Sequence, residues 1–260
     1  MVKYFKVWWL MTSSSVQSFF VSRIGAALFL AGKIIRFLFF FSFLLLLFTK
    51  TEALAGYSFY EVLLFYFTFN FIDSTTQMLF REVYRFRYYI VSGNFDMILV
   101  KPVNALFRSL FGWTDILDLM TLGPFILIIG YTLFKIPGIT LIGIISYIIL
   151  IINSLVIATS FHILVLSLAV LTTEIDHAIM IYRDLIGMGK IPIDVYTQPV
   201  RSLITFVIPV GIMMSFPVKA LLGILATPFI ILTLFVSLLI LWFSLYVWRI
   251  SLKRYTSASS

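Results

Sequence analysis

The sequence predicts an all-α integral membrane protein of six transmembrane helices preceded by an interfacial helix. Three observations predict it. Of 260 residues, 62% are hydrophobic and only 12% charged, whereas a soluble domain carries about 25% charged residues. The apolar residues are gathered into stretches long enough to cross the roughly 30 Å hydrocarbon layer, which takes about 20 residues of helix. The basic residues, which give a net charge of +8, cluster between those stretches in an asymmetric way. An ordinary soluble enzyme is excluded. The absence of cysteine removes thiol catalysis, disulfide frameworks, cysteine-ligated zinc and iron–sulfur clusters. The two histidines, His162 and His177, leave little for a metal site, and none is expected.

Residues 1–24 form the interfacial helix. Val7 to Met11 is too short an apolar core for a cleaved signal, and Ser13, Ser14, Ser15 and Gln17 interrupt it. On a helix, Phe5, Trp8, Trp9, Val16, Phe19 and Phe20 share one face, with Lys3, Lys6, Ser13 and Gln17 on another, the pattern of a helix lying along a leaflet. The first span is 34–54, with Lys33, Arg36 and Lys50 placed to snorkel at its ends. The second is 58–80 and the third 110–134. The stretch from Ile136 to Thr172 would be roughly 55 Å long as a helix, too long for one crossing and marginal for two; its span is taken as 138–172. Ser202 to Trp248, roughly 70 Å by the same rise, is punctuated by Pro209, Pro217, Gly223 and Pro228, and reads as two spans, 202–216 and 229–248, around an outer turn at 217–228.

The positive-inside rule selects six crossings over seven. With six and a cytoplasmic N-terminus, all of the 19 basic residues fall inside except Lys50, Lys135 and Lys219. A seventh crossing within 136–172 would send outside the basic groups of 183–201 and of 249–254. Both termini are therefore expected in the cytoplasm. The long fourth helix either continues past the cytoplasmic face or bends near Gly143 or Ser160.

The polar information sits in two loops. The first, 81–108, reads REVYRFRYYIVSGNFDMILVKPVNALFR: a basic-aromatic helix, a turn at Ser92-Gly93-Asn94, a short apolar run from Phe95 to Val100, a break at Pro102, and Asn104 as a cap for the following helix. Interleaved basic and aromatic residues can bind nucleic acid, but between two spans the same residues are expected as membrane anchors, and no nucleic-acid partner is assigned. Two readings stand: an anchor for anionic lipid, and a docking surface for a soluble partner, since Phe95, Met97, Ile98 and Leu99 are apolar on a water-facing loop. The second loop, 174–201, combines a half-apolar helix, a flexible Gly187-Met188-Gly189 and a Pro-fixed turn from Ile191 to Tyr196, expected at the membrane surface.

Ionisable residues in or near spans are functional candidates. Glu61 and Asp73 in the second span are the pathway candidates, able to neutralise a cationic substrate or to pair with a neighbouring helix. Asp115 and Asp118 lie near the inner end of the third span, within reach of Arg108 or Lys101, and His162 is in the fourth. No phosphate-binding loop, HExxH or GxSxG pattern occurs, and Gly187-Met188-Gly189-Lys190 lacks the spacing of a phosphate cradle. No catalytic residue is assigned, and nucleotide energy would have to come from another subunit.

The segment Ser92-Gly93-Asn94-Phe95-Asp96-Met97-Ile98-Leu99-Val100-Lys101-Pro102 resembles the SG-x-hydrophobic-D-x-x-L-hydrophobic-[RK]-P segment between the second and third spans of type-2 ATP-binding-cassette (ABC-2) exporter permeases. Ile191 to Tyr196, Ile208-Pro209, Phe216-Pro217 and Leu221-Leu222-Gly223 look like that family's second landmark region, in the same order. The resemblance implies a permease subunit in a bacterial or archaeal inner or plasma membrane, paired with itself or a homologue. It implies two copies of a cytoplasmic ATPase that bind the ATP and Mg²⁺, with no cofactor on this chain. It also implies a coupling helix within 81–108, with Gly93, Phe95, Asp96, Ile98, Leu99, Lys101 and Pro102 as the ATPase-docking residues, and makes 217–228 a re-entrant hairpin. The competing classes are an integral-membrane enzyme acting on lipid or isoprenoid, which would need acids and histidines gathered in one cleft, and an ion-coupled carrier, which would show inverted repeats. The aromatic content of 18% suits amphipathic or lipidic cargo, but aromatics also pack helices and form interfacial belts.

Overall fold

Apolar sequence without strand-forming alternation folds here into helices throughout. The computed structural model describes residues 2–21, 23–172 and 175–256. Met1 and Ser22 of the expected interfacial helix and Glu174 at the head of the second loop lie outside the described residues, as do the side chains of Phe20 and Arg23. The helices are α1 (Val2–Val21), α2 (Arg23–Phe48), α3 (Phe59–Phe80), α4 (Phe86–Val91), α5 (Asn94–Leu99), α6 (Ala105–Phe111), α7 (Ile116–Lys135), α8 (Leu141–Thr172) and α9 (Ile175–Gly187). They are followed by α10 (Val200–Val207), α11 (Gly211–Leu221) and α12 (Thr227–Arg254). Four of them, α2, α7, α8 and α12, are long and apolar enough to cross a membrane. The 22-residue α3 is as long, roughly 33 Å, but carries Asp73, Ser74, Thr75, Thr76 and Gln77 in its second half.

Side-chain caps set several helix starts. Ser58 donates its backbone N–H and its hydroxyl to Glu61 at 2.7 and 2.8 Å, satisfying groups that the first turn leaves unpaired. Asn104 accepts from the Phe107 N–H at 3.1 Å, the expected cap. The helix it starts stops at Phe111, however, and Asp115 caps a second start by accepting from Leu117 and Asp118. The third apolar helix therefore begins at Ile116 and not at 110. α8 runs unbroken over 32 residues, roughly 48 Å, longer than the hydrocarbon layer.

Packing is antiparallel around α3 and α8. Aromatic contacts, such as Phe67 with Phe125 at 6.3 Å and Phe48 with Phe59 at 5.3 Å, join α3 to α7 and α2. A buried core around Phe80, Phe86, Phe95, Leu166 and Trp248 joins the loop helices to α8 and α12. Polar side chains fasten helices across the interior, Thr68 to Tyr147 at 2.8 Å and Ser154 to the Met213 carbonyl at 2.6 Å, as hydroxyls do where water is absent. Gly143 lets α11 approach closely, because a Cβ there would stand 2.7 Å from the Leu221 carbonyl oxygen.

The second half differs from the sequence expectation in two places. The expected span 202–216 is not one straight helix: α10 and α11 meet at 82° across the Ile208-Pro209-Val210 break. The chain is helical through Pro217 to Leu221, so the expected turn at 217–228 contracts to the residues around Gly223, whose φ of +72° suits glycine. Pro217 has no N–H to donate to the preceding turn, and the chain widens there into a π-type turn over Gly211–Ser215. Secondly, 174–201 is not confined to one surface. Arg183 donates to Gln77 near the end of α3 at 3.1 Å, whereas Asp194 accepts from Tyr57, just before the start of α3, at 2.9 Å. The chain between them follows α3 for most of its length, burying Ile186 and Ile193. Arg201, expected on the same face as Arg183, pairs with Asp194, as does Lys219 at 2.7 Å.

Candidate functional site

Two features carry the candidate functional side chains: a short helix at one end of the bundle and a charged cavity within it. The short helix is α5. Gly93 precedes it with φ +70°, a left-handed conformation that a residue with Cβ adopts at a cost of about 1 kcal/mol or more, and the sharp turn points α5 back onto the bundle. Phe95 is fully buried and Ile98 nearly so, Phe95 meeting Phe86 at 5.1 Å, Tyr255 at 5.1 Å and Trp248 at 6.4 Å. Burial, followed by the neighbouring Asp96 carboxylate, pushes the Tyr255 hydroxyl up to about 12.

The seven residues expected to dock a partner thus divide. Phe95 and Ile98 hold α5 to the body, Asp96 is half-buried, and Leu99, Lys101 and Pro102 are exposed together with Met97 and Val100. α1 supports the same corner: Lys3 donates to the Pro102 carbonyl at 2.6 Å, Thr12 bonds Thr114 at 2.8 Å, and Tyr4 meets Phe107 edge-on at 4.9 Å. Phe5, Trp9 and Leu10 of α1 are left exposed. Phe95→Ala is expected to lower stability by about 3–5 kcal/mol, the usual range for emptying a buried phenylalanine site. Val100→Ala should change it by less than about 0.5 kcal/mol. Thermal unfolding of the purified protein measures both.

Below α5, Glu82 is 1% exposed and receives the Arg108 guanidinium at 2.5 Å. This pair was not evident in the sequence. The only available signal was a lone acid in the basic run Arg81 to Arg87. Gly112 makes it possible, since a Cβ would overlap the guanidinium and lie 2.7 Å from the Arg108 carbonyl oxygen.

Glu61 and Asp73, the two pathway candidates, are not brought together. Glu61 is engaged in the cap at the start of α3. Asp73 lines a cavity of about 550 Å³ between α2, α3, α7 and the end of α9. It accepts from Gln77 at 2.7 Å, and Lys33 and Asp118 pair at 2.6 Å in the same wall. Asp115 pairs with Arg81 at 3.4 Å instead of with Arg108 or Lys101. His162 is buried, its Nδ1 2.8 Å from the Ala158 carbonyl and its ring against Phe80 and Tyr182, a packing position.

Helices long and apolar enough to cross a membrane, several of them packed around a charged cavity, are those of a multi-pass membrane protein. The chain belongs to the ABC-2 transporter family: the family model described as ABC-2 family transporter protein matches residues 34–259. It is accordingly a permease subunit of an ABC transporter, the membrane transport component of such a system. No curated protein and no solved structure matches the chain.

Proposed function

We propose that the chain is the permease of an ATP-driven exporter, pairs with itself or a homologous permease to form the translocation pathway, and is coupled through α5 to a separate cytoplasmic ATPase that binds ATP and Mg²⁺. The observation that carries this reading is the two-sided character of α5. Phe95 and Ile98 are locked into the core shared with α8 and α12, while Met97, Leu99, Val100, Lys101 and Pro102 face outward. A helix held so firmly on one side and apolar on the other transmits a push from a docked partner into the long helices, the requirement of alternating access. The six crossings are α2, α3, α7, α8, the segment from α9 to α11, and α12, with both termini in the cytoplasm. Moving Arg201 to the side of Lys50, Lys135 and Lys219 leaves most basic residues inside. α1, with Phe5, Trp9 and Leu10 exposed, lies along the inner leaflet.

The test is association. The affinity-purified chain should carry an ATPase subunit, and vesicles containing both should export cargo only with ATP inside the compartment that holds the ATPase. Val100→Asp, on the exposed face, and Gly93→Val, which opposes the left-handed turn, should each reduce the bound ATPase at least tenfold. Val100→Asp should leave the unfolding temperature unchanged. Retention of the ATPase by both variants, or its absence from the unmodified protein, would overturn the reading.

A further inference from the structure

The cavity that contains Asp73 has two kinds of surface in its wall. Part of the wall is charged, with Lys33, Arg36, Asp73, Asp118, Arg183 and Lys190. Part of it is aromatic. Phe40 stacks on Tyr66 at 4.6 Å, and Phe37 lies 5.5 Å from Tyr66 and 5.7 Å from Phe125. A volume of about 550 Å³ falls within the range of small-molecule sites, roughly 300–1,000 Å³.

The charges decide what such a cavity favours. Four bases face two carboxylates. Lys33 is committed to Asp118, and Asp73 is held by Gln77, itself bonded by Arg183, while Arg183, Arg36 and Lys190 all act on Asp73. Among the described residues neither Arg36 nor Lys190 has an ion-pair partner. A cationic cargo, the possibility that Asp73 raises when taken alone, would meet a positive surplus. We infer that this cavity is a binding site for an amphiphile with an anionic head, a phosphate or carboxylate held by Arg36 and Lys190, whose apolar body lies along Phe37, Phe40, Tyr66 and Phe125. As the substrate class of the permease it rests on the reading above; as a binding site it does not.

The test uses the full chain in a neutral detergent and three probes: dodecyl phosphate, dodecyltrimethylammonium with the same tail and opposite head, and inorganic phosphate with no tail. Dodecyl phosphate should bind saturably and at least tenfold tighter than either of the others. Arg36→Gln and Lys190→Gln should each weaken it roughly tenfold, the scale of one charge-assisted hydrogen bond, with Arg36→Lys recovering most of the loss. Lys50→Gln, at the far end of α2, should have no effect. Arg36 is exposed, so its substitution leaves the fold intact, and an unchanged unfolding temperature checks this. Equal binding of the ammonium probe, equal binding of inorganic phosphate, or indifference to both glutamine variants overturns the proposal. ATPase co-purification is scored separately: its failure with dodecyl phosphate binding intact sinks the exporter reading and leaves the site.

Discussion

Replacing Arg108 with methionine is expected to destabilise the protein by about 3 kcal/mol or more. Removing one partner of a buried ion pair leaves the other charge without compensation, at a typical cost of 3–5 kcal/mol. Glu82 is 1% exposed on its side chain, and Arg108, 24% exposed, is its cation. The partly open position of Arg108 places the effect toward the lower end of that range. The decisive control is the double variant Arg108→Met with Glu82→Gln, which removes the stranded charge and should recover most of the loss. A double variant as unstable as Arg108→Met alone would mean that the guanidinium acts through packing and not through its charge. The same geometry makes Gly112→Ala severe, because the added methyl displaces Arg108. Thermal unfolding of each purified variant reads all three.

The second large effect is expected at Asp194. Its carboxylate accepts from Tyr57 at 2.9 Å and pairs with Lys219 at 2.7 Å and with Arg201. Asp194→Leu strands the Lys219 ammonium, whose side chain is only 11% exposed, at a cost of about 3–5 kcal/mol. Arg201, 41% exposed, can turn to water and adds little. Lys219→Met in the Asp194→Leu background should restore stability, and Arg201→Met in the same background should not. Because Asp194 ties the chain before α10 to α11 and to the start of α3, protease sensitivity of the segment around residues 196–210 should rise in Asp194→Leu and fall again in the double variant.

These two clusters show where sequence reading stops. The apolar stretches, the long fourth helix, the cap at Asn104 and the turn at Gly93 were all legible, because each is a property of neighbours in the chain: hydropathy over a window, a side chain reaching its own helix start, a dihedral that only glycine adopts freely. The segment around α5 was recognisable as a segment. Its two faces were not, since the alternation of Phe95 and Ile98 with Met97, Leu99 and Val100 does not say which side meets Trp248 and Tyr255. Glu61 and Asp73 looked alike as acids in a span. One is held by its own helix start, whereas the other faces a cavity built from four helices.

The membrane class and the basic asymmetry were determined by sequence alone, because partition into hydrocarbon is close to a sum over residues in one stretch. The tertiary structure decided the pairings Glu82–Arg108 and Lys219–Asp194, the course of residues 183–194 along α3, the 82° bend and the positive surplus around Asp73. Each depends on which distant side chains share one low-dielectric space, where an unpaired charge costs several kcal/mol. A search for partners over that distance has no local signature in the chain.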